Sequence, residues 1–239
     1  MLSGLFPGRI DLGVGRAPGT SARAAFALQR DRRSASPDDF HEQLEELLGY
    51  FRGNGPEAGP LRQLADVSFD RPETALLGSS AQSAVWAADF GLPYVFADFI
   101  NPGGAAIAAL YRDRFQPSVL SSEPRTSVAV WALCADTAEE ALRISASARM
   151  MLGLLFRGRL IAVPPVEEAL AFLEKEGTPV ESTPPGRRII TGTPEMVRAA
   201  IEQVAREYGA EEVFIVNIVH DHAARVRCYE LIAKAFNAS

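Results

Sequence analysis

One arginine, three serines and two histidines in this 239-residue chain stand where strands should end and loops begin. The first group lies in "RIDLGVGRAPGT", residues 9–20. There an alternating apolar run closes on Gly13 and Gly15, and Arg16 follows at the turn. In βα architectures ligands gather where parallel strands end. A cation held there can meet an anionic ligand, and the glycines let the backbone come close to it. A structural carboxylate at the rim would suit Arg16 equally well. The dinucleotide fingerprint G-x-G-x-x-G is excluded, because Pro18 stands three positions beyond Gly15.

The second group is "LLGSSAQSAVW", where a strand ends in Gly78 and the hydroxyls of Ser79, Ser80 and Ser83 lead into a helix. Unpaired N–H groups at a helix start, joined by hydroxyl donors, make an anion site. Each hydrogen bond to a charged phosphate contributes about 1.5–3 kcal/mol. An ordinary serine N-cap is the plainer account of the same residues. A serine hydrolase using Ser79 or Ser80 is a third reading, but the segment is not G-x-S-x-G and no His–Asp pair is placed to serve it.

The third group, "NIVHDHAAR", puts His220 and His222 two apart, on one side of an extended segment. Such a pair can share a metal, yet no further ligand is identifiable and Asp221 suits a helix cap. No metal site and no catalytic residue is assigned. Phe96, Phe99, Trp86 and Trp131 could contact an aromatic ring, although aromatics at strand positions usually serve the core. His41 and the acidic run "EQLEELL" read as a solvated helix face.

Short β-like runs alternating with helical periods position these groups in a parallel α/β architecture. Strands are expected over about 9–15, 74–78, 94–100, 126–134 and 212–219, each followed by a helix. Phe40, Leu44, Leu47, Leu48 and Phe51 share one helix face, with Ser36 and Pro37 suited to its start and Gly53 to its end. Gly91 should stop the helix after Ser80. Thr137 and Glu140 have the spacing of a capping box, and Val197, Ile201, Val204 and Tyr208 fall in phase on a later helix. Residues 155–190 are rich in Pro and Gly and read as an irregular insertion or lid within a single domain spanning 1–239.

Composition narrows the partners. Hydrophobic residues make up 47% and charged ones 23%, the balance of a soluble globular protein. With 24 Lys and Arg against 30 Asp and Glu the net charge is −6, which argues against a nucleic-acid surface built on clustered cations. No apolar run approaches the ~20 residues needed to span a bilayer, and the N-terminus does not read as a secretory signal. Cys134 and Cys228 lack metal spacing, so a reduced cytoplasmic compartment is expected.

Taken in order, "PGRIDLGVGRAPGT", "LLGSSAQSAVWAADFGLPYVFADFINPGGA", "ITGTPEMV" and "DHAARVRCYELIA" resemble the bacterial luciferase-like, flavin-dependent monooxygenases. The resemblance covers nearly the whole chain outside the irregular stretch. It implies a TIM-barrel-like fold, reduced FMN or a deazaflavin as cofactor, a small organic substrate and a flavin reductase as partner. In the family, the arginine after the fourth strand and Ser/Thr residues after the fifth help bind the flavin phosphate. By position those roles fall on Arg16, Ser80 and Ser83, with the backbone of Gly78 and Ser79 beside them. If "RIDLGVG" matches the fourth strand, three strands and the family's histidine-bearing segment near the second have no counterpart, and "MLSGLF" resembles the last turn of a preceding helix. The expectation is therefore an incomplete barrel of about five βα units out of eight, either truncated or completed by a partner. An open sheet edge favours association, so a homo-oligomer is expected. The alternative function is flavin or phosphate binding without catalysis.

Overall fold

Apolar runs of three to nine residues, separated by amphipathic helices, build one parallel sheet. In the computed structural model, residues 2–16, 39–52, 71–181 and 188–237 are described. Among them the strands are β1 (Asp11–Val14), β2 (Glu73–Gly78), β3 (Tyr94–Ala97), β4 (Thr126–Cys134), β5 (Ile190–Gly192) and β6 (Glu212–Val216). The helices are α1 (Leu2–Leu5), α2 (Phe40–Arg52), α3 (Ala81–Phe90), α4 (Ala105–Arg114), α5 (Ala138–Leu155), α6 (Val166–Lys175), α7 (Pro194–Tyr208) and α8 (His222–Asn237). Ser36, Pro37, Gly53 and residues 182–187 lie outside the described residues.

The strands pair in the order β1-β2-β3-β4, all parallel, and β4 also carries β5 at its C-terminal end and β6 along its middle. The result is a curled half-barrel. Because side chains alternate along a strand, the register assigns each residue to a face. Tyr94 lies opposite Leu76 and Thr126, and Phe96 opposite Gly78 and Val128. Leu76, Tyr94, Phe96, Val128 and Val130 thus share one face. They form the main core with Leu44 and Leu48 of α2, Ala84 and Ala88 of α3, Tyr111 of α4, and Val197, Ile201 and Val204 of α7. Full burial of each large apolar side chain stabilises by about 1.5–3 kcal/mol, so this layer holds the sheet's shape. The second face carries Leu77, Val95, Ala97, Ala129, Trp131 and Phe214. There Leu77 is 43% and Phe214 46% exposed, while the four central residues are buried.

Several expectations change in detail. A sixth strand, β5, is only three residues long and too short to show a period. The stretch 155–190 contains α6, whose Ala169 and Leu173 pack with Ala146, Met150 and Leu154 of α5. Its sequence signal is Pro165 at the N-cap with Glu167 and Glu168 in the first turn. β3 stops at Ala97 rather than at residue 100, because the Ile100 and Asn101 N–H groups fold back onto the Ala97 carbonyl. The capping box at Thr137 is half formed: its hydroxyl accepts the Glu140 N–H at 3.1 Å, while the Glu140 carboxylate turns to Arg143. Gly91 ends α3 as expected, at φ 63°, a left-handed conformation open to glycine.

Candidate functional site at the ends of β1 and β2

The register between β1 and β2 sets Val14 opposite Leu76. Beyond the strand the two chains stay close: a Cβ built on Gly15 would lie 3.4 Å from the Leu77 carbonyl oxygen, and Arg16 follows at a bend. The Arg16 guanidinium carbon stands 5.8 Å from the ring centre of Trp86, within cation–π range. Trp86 belongs to α3, the helix whose N-cap is Ser80. The structure therefore directs Arg16 to α3, and the serines build the start of that same helix.

Ser80 is extended, with φ −130° and ψ 157°, as an N-cap requires. Its hydroxyl accepts the Ser83 N–H at 3.3 Å, and its own N–H donates to Ser83 Oγ at 3.3 Å. A capping box ordinarily carries Glu or Gln at the fourth position. Here that position is a serine, so the box holds no carboxylate, and the first turn of α3 contains no acidic residue. Ser83 is buried. Its hydroxyl donates to the Ser80 carbonyl at 2.7 Å and lies 2.9 Å from the Tyr94 hydroxyl, which is then left to donate to it. Burial pushes the Tyr94 phenol up to about 12 against the lowering effect of Ser83, so it stays protonated as a donor. Ser80, by contrast, is exposed and Ser79 half-buried. Gly78 makes the close approach possible: a Cβ there would stand 2.1 Å from Ser83 Oγ.

The loop after β3 joins this rim. Asn101 Nδ2 donates to the Ser79 carbonyl at 3.1 Å. Beneath the loop, Asp98 is fully buried and its Oδ1 accepts the Tyr208 hydroxyl at 2.8 Å. That hydroxyl in turn accepts the Gly104 N–H at 3.0 Å. Asp98 Oδ2 has no hydrogen bond among the described residues, and Arg188 Nε stands 3.6 Å away. Burial raises the Asp98 carboxyl above its ordinary range, opposed by the Tyr208 bond and the Arg188 charge. None of Asn101, Asp98 or Tyr208 was singled out as a site residue by sequence reasoning.

The histidines do other work. His220 Nδ1 lies 2.9 Å from the Val163 carbonyl and must donate to it, His222 faces Arg225, and Asp221 caps α8 through the Ala224 N–H. Among the described residues no three metal-binding side chains cluster, and no helix is long and apolar enough to cross a membrane. His41 is exposed yet rests 4.8 Å from the Phe90 ring centre. Phe96 and Trp86 pack in or against the main core. Trp131 contacts Phe99, and its buried Nε1 has no hydrogen-bond partner among the described residues.

A family model described as luciferase-like monooxygenase matches residues 1–212. The chain belongs to that family. Among its relatives is the uncharacterized protein YvbT of Bacillus subtilis, 38% identical over 237 residues, covering 97% of this chain and 68% of the relative. The N-acetyl-S-alkylcysteine monooxygenase of the same organism is 33% identical over 244 residues, covering 100% of this chain and 72% of the relative. Of solved structures, apo-MsnO8 superposes with a TM-score of 0.84 at 33% identity, over all of this chain and 71% of that one. The oxygenating constituent of a Pseudomonas putida 3,6-diketocamphane monooxygenase, solved with FMN, shares the fold at TM-score 0.64 and 17% identity, over 98% of this chain and 71% of that one. Membership in the luciferase-like family supports an oxidoreductase with a flavin-type cofactor.

Proposed function

We propose that this luciferase-like chain is a flavin-dependent monooxygenase that uses reduced FMN, and that the rim of β1 and β2 grips the FMN phosphate. The observation that carries the reading is the start of α3. It has a hydroxyl cap without a carboxylate, it has no acid in its first turn, and an arginine from the neighbouring strand lies against the same helix. A dianion is stabilised there by the positive end of the helix and by the Ala81 and Gln82 N–H groups. Ser80 offers a hydroxyl directly. Ser83 works from behind by holding the cap, and Gly78 and the Ser79 backbone allow the chain to pass close. Arg16 supplies the fixed positive charge.

Reduced FMN, when bound, supplies the two electrons with which dioxygen is divided between substrate and water. The protein's part is to anchor and orient that cofactor and to keep water from the reacting face. A separate flavin reductase regenerates reduced FMN, and the oxygen acceptor is a small organic molecule. The competing assignment, flavin binding without turnover, separates from this one in a single assay: NADH-driven oxygen uptake with a flavin reductase present, across candidate acceptors. A deazaflavin enzyme would instead bind the deazaflavin in preference to FMN. For the anchor, Arg16→Ala should weaken FMN at least tenfold, the loss of one charge-assisted contact, and equal affinity in both proteins would remove Arg16 from the site.

A further inference from the structure

We infer that Asn101 is a positioning residue for the phosphate end of this site, and that it sets the preference for phosphorylated over unphosphorylated flavin. The inference rests on the reading above, and deepens it by adding a residue from a third loop.

One peptide unit carries the argument. The carbonyl of Ser79 accepts from Asn101 Nδ2 at 3.1 Å, and the N–H of Ser80 donates to Ser83 Oγ at 3.3 Å. Carbonyl and N–H of the same unit are coplanar and point in opposite directions. The plane between Ser79 and Ser80 is thus held at both ends, from the β3 loop on one side and from within the helix cap on the other. Holding the plane fixes the direction of the Ser80 hydroxyl and of the first free N–H groups of α3. It also keeps the Ser79 carbonyl oxygen engaged. Released, that oxygen can turn toward the anion, where a partial negative charge opposes binding.

Asn101 itself is braced. Its Oδ1 accepts the Gly103 N–H at 3.3 Å, so both ends of the side-chain amide are committed and its orientation is fixed. The Asn101 N–H bonds the Ala97 carbonyl at 3.1 Å. On either side of it, the Tyr208 hydroxyl clamps the loop, donating to Asp98 and accepting from Gly104. A loop pinned at residues 98, 101 and 104 can present one donor at a constant position.

The test compares FMN with riboflavin, which lacks only the phosphate, by fluorescence titration of the full chain and its variants. Wild type should bind FMN more tightly. Asn101→Ala should reduce that preference about five- to tenfold by weakening FMN alone. Asn101→Asp, which sets a carboxylate against the Ser79 carbonyl, should reduce it further. Asn101→Ser is a smaller change that keeps a short donor, and it should fall between wild type and alanine. An unchanged ratio in Asn101→Ala, beside a reduced ratio in Arg16→Ala, overturns the inference and leaves the anchor standing. Parallel loss of FMN and riboflavin in the Asn101 variants also overturns it, since that marks a purely structural residue. A wild type that does not distinguish the two flavins overturns the anchor, and the role of Asn101 with it.

Discussion

Helices α3 and α5 begin in nearly the same way and end up chemically opposite. Each follows a strand of the sheet and starts from an extended hydroxyl N-cap, Ser80 in one and Thr137 in the other. In α5 the first turn supplies its own anions, Glu139 and Glu140. A hollow of about 340 Å³ beside its start is lined by Asp136 and Glu140 as well as Arg227. Arg227 is already committed to Asp136 at 2.7 Å. In α3 the corresponding acid is replaced by Ser83, which turns inward to Tyr94, so no carboxylate stands in the first turn against the positive end of the helix. On the reading proposed above, a hydroxyl cap serves an anion only where no carboxylate shares its first turn.

That contrast can be broken most sharply at Ser80. Ser80→Asp keeps a good N-cap but brings a carboxylate to the start of α3, and like charges ~4 Å apart at an effective dielectric of ~20 repel by about 4 kcal/mol. FMN affinity should fall at least a hundredfold while riboflavin affinity and the melting temperature stay near wild type, readable by paired titration and calorimetry. Next in size is Gly78→Ala. The added Cβ collides with Ser83 and forces strand and cap apart, costing about 1–3 kcal/mol of stability in urea unfolding and weakening FMN as well. At α5 the effects should be confined to stability. Thr137→Ala should cost about 1 kcal/mol, with flavin binding untouched.

The smallest effect concerns pH. The Arg143 guanidinium bonded to Glu140 holds that carboxyl below its ordinary range. A depressed folded value contributes stability above the unfolded one and loses it as pH falls through the folded one. Glu140→Gln should therefore flatten the acid side of the stability profile slightly. The α3 cap has no carboxylate to titrate and should show no such dependence.

How much of this was legible from the residues follows from distance along the chain. Arg16, Gly78, Ser79, Ser80 and Ser83 stand out as candidates because each sits within a few positions of a strand end, where local rules about turns and caps apply. The five longer strands were legible for the same reason. The three-residue β5 was not, since its place is decided by the end of β4 rather than by its own pattern. The Pro-Pro approach to α6 disguised a helix as irregular chain. Asn101, Asp98 and Tyr208 were missed because nothing local marks them: Asn101 meets Ser79 across 22 residues, and Tyr208 meets Asp98 across 110. Tyr208 did appear in the helical phase as a core residue, which it is, but its hydroxyl gave no signal.

The reach of that tyrosine has a consequence for when the rim is assembled. The turn between β3 and α4 is shaped by its own neighbours at Ala97, but it is also clamped by a side chain more than a hundred residues downstream. Closing a loop of such separation costs more chain entropy than closing a local turn. The strand tips can be set early. The Asn101 amide is set by its own neighbours, Ala97 and Gly103, whereas the outer clamp of the loop, from Asp98 to Gly104, is complete only with α7 docked.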